Sequence, residues 1–210
     1  DLSNYINKFM TDNDSENPLH INTCDSLYYD VDSLHENLST HKQTYQYTSL
    51  HLNIQSLPAK FDKLKNLIAK LDEQQIHLDL IFLCETFLND NITHLFNIPG
   101  YNLICKNRNK GTRGGVAIYV NNKLNFQLRS DLSQFSSGEF ESIFIEIQSK
   151  EHKAIVGEIY HVPNTNEKKS IDMFANVCKR LANYKHTIII GTDQKFEYLK
   201  IEKFKNIDDL

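Results

Sequence analysis

The chain predicts an α/β fold, and three observations carry that expectation. Leu78–Cys84 and Thr187–Ile190 are short, near-continuous apolar runs, the kind that form strands buried on both faces. Each follows a stretch of helical spacing: Phe61, Leu64, Leu67, Ile68 and Leu71 before the first, and Ile171, Phe174, Val177, Cys178 and Leu181 before the second. Between them, Phe140–Ile147 places Ile143, Ile145 and Ile147 on one face and Phe140 and Phe144 on the other, which suits a sheet covered on both sides.

At 210 residues with 40% apolar content, the chain can bury one sizeable core, and a single domain with a tail is the expected organisation. The tail is residues 1–44. It carries eight acids against two lysines and is rich in Asn, Asp, Ser and Thr, with apolar residues in no sustained period. So little apolar surface does not offset ordering entropy, and a disordered acidic linker is expected. Residues 45–210 then carry a slight positive balance, 21 bases to 19 acids. A generally basic nucleic-acid coat is excluded, while a local one is not.

Cys24, Cys84, Cys105 and Cys178 form no close pair of the zinc-knuckle or redox type, so reduced structural thiols are expected. His20, His35 and His41 near Cys24 fit no ligand spacing. No apolar run of about 18 residues marks a membrane span, and no secretion signal opens the chain. An intracellular protein, nuclear or cytoplasmic, is the expectation. The start at Asp1 without a methionine points to a fragment of something longer.

Order is expected from Tyr45, with a β-branched and aromatic strand ending near Asn53. Pro58 suits the first turn of the helix that follows, and the strand Leu78–Cys84 ends at Glu85. Strand, helix, strand at this spacing implies a right-handed crossover and a parallel pair. Asn53 and Glu85 would then stand side by side at neighbouring carboxyl ends. Singly, one reads as a turn residue and the other as a solvated carboxylate; their matched placement is the signal.

Residues 103–130 read as antiparallel strands joined by tight loops, Leu103–Cys105, Val116–Val120 and Leu124–Leu128. From Asn91 to Ser130 there is no acid and there are six bases, of which Arg108, Lys110 and Arg113 crowd one loop. A phosphate backbone would find its counter-charge there; a solvated hairpin tip is the alternative. Ala154–Tyr160 is the next strand, with Asn164 just beyond, and the strand at Thr187–Ile190 leads to Gly191 and Asp193.

Four strand ends thus carry polar groups: Asn53, Glu85, Tyr160 with Asn164, and Asp193. A carboxylate with an amide can hold a hard cation such as Mg²⁺. A second carboxylate can orient or deprotonate water, and a tyrosine hydroxyl can hydrogen-bond a phosphate oxygen. Phosphodiester or phosphomonoester hydrolysis is the chemistry such a set suits.

The ordered series Leu52-Asn53-Ile-Gln-Ser, Ile81-Phe-Leu-Cys-Glu85-Thr, Ile98-Pro-Gly-Tyr101, Arg113-Gly-Gly-Val-Ala-Ile-Tyr-Val, Glu158-Ile-Tyr160-His-Val-Pro-Asn164 and Ile190-Gly-Thr-Asp193 resembles the endonuclease/exonuclease/phosphatase superfamily. More narrowly, it is similar to the apurinic-endonuclease-like domain of LINE-type, non-LTR retrotransposon proteins. The resemblance covers roughly residues 45–200. It implies a four-layer α/β/β/α sandwich and a Mg²⁺-dependent nick in target DNA that primes reverse transcription, with a reverse-transcriptase domain in the same parent polypeptide. It further implies that Asn53 and Glu85 hold the metal, Tyr160 and Asn164 contact the scissile phosphate region, and Asp193 positions the water.

Two departures qualify what the resemblance implies. In the family the strand corresponding to Thr187–Asp193 ends in Gly-Asp-Phe-Asn, whereas Asp193-Gln194-Lys195 puts a cation at the asparagine's position, where it can accept no hydrogen bond. The family's later Ser-Asp-His has no counterpart, since no histidine follows His186. The expectation is therefore the amino-terminal portion of such a domain, residues 45–210, lacking its carboxyl-terminal half and inactive as given. A noncatalytic remnant or binding module, and a phosphomonoesterase acting on lipid or inositol phosphates, are the alternatives.

Overall fold

The computed structural model describes residues 47–108, 113–148, 153–163, 165 and 167–193. The acidic tail, Lys110, Asn164 and Lys195 lie outside the described residues. The described elements are β1 (Ser49–Asn53), α1 (Leu57–Glu73), β2 (Leu80–Cys84), a 3-10 turn (Thr93–Leu95), β3 (Tyr101–Lys106), β4 (Val116–Asn121), β5 (Phe126–Leu128), β6 (Phe135–Ser136), β7 (Phe140–Gln148), β8 (Lys153–His161), α2 (Glu167–Leu181) and β9 (Thr187–Asp193).

They form two sheets. One has the order β1-β2-β4-β3, the other β5-β7-β8-β9 with β6 against β7. Each sheet contains one strand, helix, strand unit with a parallel pair, β1 with β2 and β8 with β9; the remaining pairs are antiparallel.

Strand alternation divides the apolar residues into three layers. Leu80, Phe82, Val116, Ile118 and Val120 face Ile143, Ile145, Ile147, Ala154 and Val156 between the sheets. On the outer face of the first sheet, Ile81, Leu83, Ala117 and Tyr119 receive Leu57, Leu64, Ile68 and Leu71 of α1. On the other side, Phe140, Phe144, Ile155 and Ile159 receive Val177 and Leu181 of α2. The expected four-layer α/β/β/α sandwich is therefore the architecture. Ser56 caps α1 by accepting from the Ala59 amide at 3.3 Å, and Pro58 occupies its first turn, where no amide proton is needed.

Two local expectations are corrected. Leu124–Leu128 does not extend the β3–β4 hairpin: the turn closed by the Leu124 amide on Asn121 O at 2.9 Å redirects the chain, and Phe126–Leu128 pairs with β7 in the other sheet. The isoleucines of Thr187–Ile190 are only half-buried, because β9 has β8 alone as its strand partner among the described residues.

Candidate active site

The parallel pairs bring four strand ends to one rim. In β1 and β2, Asn53 lies opposite Cys84, so Glu85 follows one residue beyond; in β8 and β9, Tyr160 lies opposite Asp193. By alternation Asn53, Tyr160 and Asp193 point between the sheets. A continuing extended strand would turn Glu85 the other way, toward Leu83 and the helix. Its left-handed backbone, φ 53°, swings the carboxylate back to the rim instead. Neighbouring loops secure that conformation: Ser56 N donates to Glu85 O at 2.9 Å, Leu57 N to Thr86 O at 2.8 Å, and Thr86 N to Gly115 O at 3.2 Å. Gly115 has φ 88°, and a Cβ there would lie 2.6 Å from Thr86 Oγ1, so this close pairing requires glycine.

The side chains join one another directly. Asn53 Nδ2 donates to Glu85 Oε1 at 2.8 Å and to Asp193 Oδ2 at 2.6 Å, and the Tyr160 hydroxyl donates to Glu85 Oε1 at 3.0 Å. Burial, reinforced by the bond to Glu85, pushes the Tyr160 phenol above its ordinary pKa, so the group stays protonated and acts as a donor. Asn53 Oδ1 is buried and has no hydrogen-bond partner among the described residues. An orphaned amide oxygen beside two carboxylates is an all-oxygen donor set that fits a hard divalent cation.

The cationic loop is divided by the fold. Arg113 is exposed, as the loop reading expects. Arg108 is not a free cation on a hairpin tip: its side chain is 13% exposed and its Nε pairs with the fully buried Glu141. Glu141 also accepts from Gly115 N at 2.7 Å, and it lies opposite Tyr160 in the β7–β8 register. Arg108 thus braces the loop that holds Glu85 and the strand that holds Tyr160, while its buried Nη2 has no partner among the described residues.

Three polar residues near the rim escaped the sequence reading. His51 Nε2 and Glu158 Oε1 are 3.1 Å apart, and Cys84 Sγ lies 3.8 Å from Asp193 Oδ2. Burial drives the Glu158 carboxyl up to about 7 against the opposing effect of His51, while the bond to Glu158 raises the imidazole. The Cys84 thiol is likewise pushed up, by burial first and then by the surrounding carboxylates. Strand period was the available signal: His51 and Glu158 stand two residues before Asn53 and Tyr160, on the same faces.

A four-layer sandwich whose paired strand ends converge Asn, Glu, Tyr and Asp on one rim defines a class of phosphate-ester hydrolase scaffolds. The chain belongs to the endonuclease/exonuclease/phosphatase family, whose model matches residues 50–193, well over half of it. Among solved structures it is similar in fold to the endonuclease domain of TRAS1, a telomere-specific non-LTR retrotransposon (13% identity, TM-score 0.54, 73% of this chain and 61% of that one). It is also similar to D. rerio TDP2 complexed with a single-strand DNA product (12% identity, TM-score 0.52, 76% and 65%) and to a humanized D. rerio TDP2 (12% identity, TM-score 0.51, 75% and 69%). The chain spans less than two thirds of the TRAS1 domain's length. None of the curated proteins compared matches it.

Proposed function

We propose that Asn53, Glu85, Tyr160 and Asp193 are the metal-holding and water-positioning half of a Mg²⁺-dependent phosphodiesterase site that nicks duplex DNA. The observation that carries this reading is the convergence of three hydrogen bonds on Glu85 and Asp193 beside the orphaned Oδ1 of Asn53. Family membership supports the reaction class, and the TRAS1 and TDP2 likenesses favour DNA as the substrate.

In this reading Glu85 and Asn53 Oδ1 hold Mg²⁺, which supplies charge neutralisation at the phosphate when bound. Asp193 accepts a hydrogen bond from the attacking water and orients it, its free direction set by the bond from Asn53. Tyr160, kept protonated, turns its hydroxyl from Glu85 to a phosphate oxygen. Asn164 contacts the scissile region, and Lys110 and Arg113 meet the flanking backbone. Arg108 offers it Nη2 while Nε stays on Glu141. The proposed setting is a retroelement polypeptide that also carries a reverse-transcriptase domain and acts inside the cell, in nucleus or cytoplasm.

The chain of 210 residues has no histidine after His186 and carries Lys195 two positions after Asp193 in sequence. By itself it is expected to bind Mg²⁺ without turnover. Supercoiled plasmid incubated with the chain and Mg²⁺ should remain closed, and efficient nicking abolished by Glu85→Ala would overturn the expected inactivity. A Mg²⁺-dependent rise in Tm should disappear in Glu85→Ala; its persistence would overturn the site assignment. DNA binding indifferent to Mg²⁺ and to Glu85 would favour a binding module instead.

A further inference from the structure

Just beneath the rim, three of the same four strands assemble a second group of donors of different chemistry. His51 and Glu158 sit two residues before Asn53 and Tyr160, and Cys84 is the register partner of Asn53, so all three side chains enter the space between the sheets. The ligand atoms of His51, Cys84 and Glu158 all lie within 4.8 Å of one another. Three strands from two sheets supply them, so their meeting is a product of the fold rather than of sequence spacing.

Hydrogen bonding alone does not satisfy this group. Glu158 is fully buried, one imidazole contact at 3.1 Å serves its Oε1, and Oε2 has no partner among the described residues. A buried carboxylate left so is strongly unfavourable unless a proton or a cation completes it. The surroundings keep room for that arrangement. A Cβ on Gly191 would lie 2.3 Å from Glu158 Oε2 and 2.7 Å from His51 Cδ2, so the glycine of β9 is what lets carboxylate and imidazole approach.

We propose that His51, Cys84 and Glu158 form a second metal site, selective for a borderline ion of the Zn²⁺ class and distinct from the all-oxygen rim above it. Nitrogen, sulfur and carboxylate oxygen are the ligands Zn²⁺ takes in tetrahedral sites, whereas Mg²⁺ keeps oxygen ligands and its own waters. The His51 side chain is 32% exposed, which gives an entry path and a side for the fourth ligand. Water fills that position, or Asp193, whose Oδ2 is 3.8 Å from Cys84 Sγ. On binding, the thiol proton leaves to solvent and the sulfur coordinates as thiolate. The bound ion ties β1 and β2 of one sheet to β8 of the other directly under the rim. None of this depends on the nuclease reading.

Co²⁺ is the probe. The metal-free chain titrated with Co²⁺ should develop a thiolate-to-cobalt charge-transfer band that saturates at one ion per chain, is reversed by Zn²⁺ and is unaffected by excess Mg²⁺. Cys84→Ser should abolish the band and Glu85→Gln should retain it. His51→Gln, at a partly exposed position that tolerates substitution, should keep the fold by circular dichroism and weaken Co²⁺ binding by roughly tenfold or more. The proposal is overturned if the wild-type chain gives no band, if the band survives Cys84→Ser, or if folded His51→Gln binds Co²⁺ as tightly as wild type.

Discussion

Asn53 and Asp193 stand on strands of opposite sheets, 140 residues apart, and the amide of one donates to the carboxylate of the other at 2.6 Å. The same amide also reaches Glu85, so a single neutral donor holds two acids that would otherwise repel. Asn53→Asp replaces that donor by a third carboxylate. The variant should lose roughly 1–3 kcal/mol of stability without metal. It should also show a larger Mg²⁺-dependent rise in Tm than wild type, measured by thermal melts with and without Mg²⁺; an equal response would separate Asn53 from the cation.

The Arg108–Glu141 pair predicts a structural phenotype for a residue that reads as a DNA contact. Glu141 is fully buried, so Arg108→Ala leaves an uncompensated interior charge and should cost about 3–5 kcal/mol. Urea unfolding of Arg108→Ala beside Arg113→Ala checks this, the exposed Arg113 changing stability by less than about 0.5 kcal/mol.

Glu158 gives stability a pH dependence in metal-free protein. Its pKa rises from 4.5 in the unfolded chain to about 7 when folded, so its contribution is complete below 4.5 and is lost as pH climbs toward 7. His51, also raised from 6.5, loses its contribution in the same direction at higher pH. Glu158→Gln removes the carboxyl titration. In the presence of chelator it should gain on wild type by roughly 1–3 kcal/mol between about pH 5 and pH 8. A constant difference across that range would contradict the shift.

Gly157 lies opposite Phe144, and a Cβ there would fall 2.1 Å from the Phe144 ring. Gly157→Ala should destabilise the chain by about 1–3 kcal/mol through overpacking, and Phe144→Leu in the same chain should recover part of the loss. Chemical denaturation of the two single variants and the double variant measures the coupling.

Much of this arrangement was legible before the fold was known, for a specific reason. Asn53, Glu85, Tyr160 and Asp193 each stand at the end of a stretch with strand patterning, so the pattern alone marks them as polar groups delivered to a strand end. His51, Cys84 and Glu158 were harder to see because they sit inside such runs, where a polar residue reads as a lapse in the pattern. Register puts them on the inner faces of their own sheets, and only the packing of one sheet on the other brings them into one space. Arg108 was misleading for the opposite reason: its neighbours advertise a solvated loop, and its partner Glu141 is 33 residues away on a strand of the other sheet. The destination of Phe126–Leu128 was likewise a matter of long-range pairing that local turn signals do not encode.

Tyr160 opposite Asp193 has a consequence for how this chain tolerates insertion and deletion. One residue gained or lost within β8 or β9 would rotate that strand's side chains by half a turn. Ile159 or Thr192 would then face the rim, and Tyr160 or Asp193 would be driven against α2. Substitutions can erode the site gradually, but a single-codon length change in β8 would displace Tyr160 and Glu158 together, removing a donor from both groups at once. Length variation in descendants of this sequence should therefore be kept out of β8 and β9.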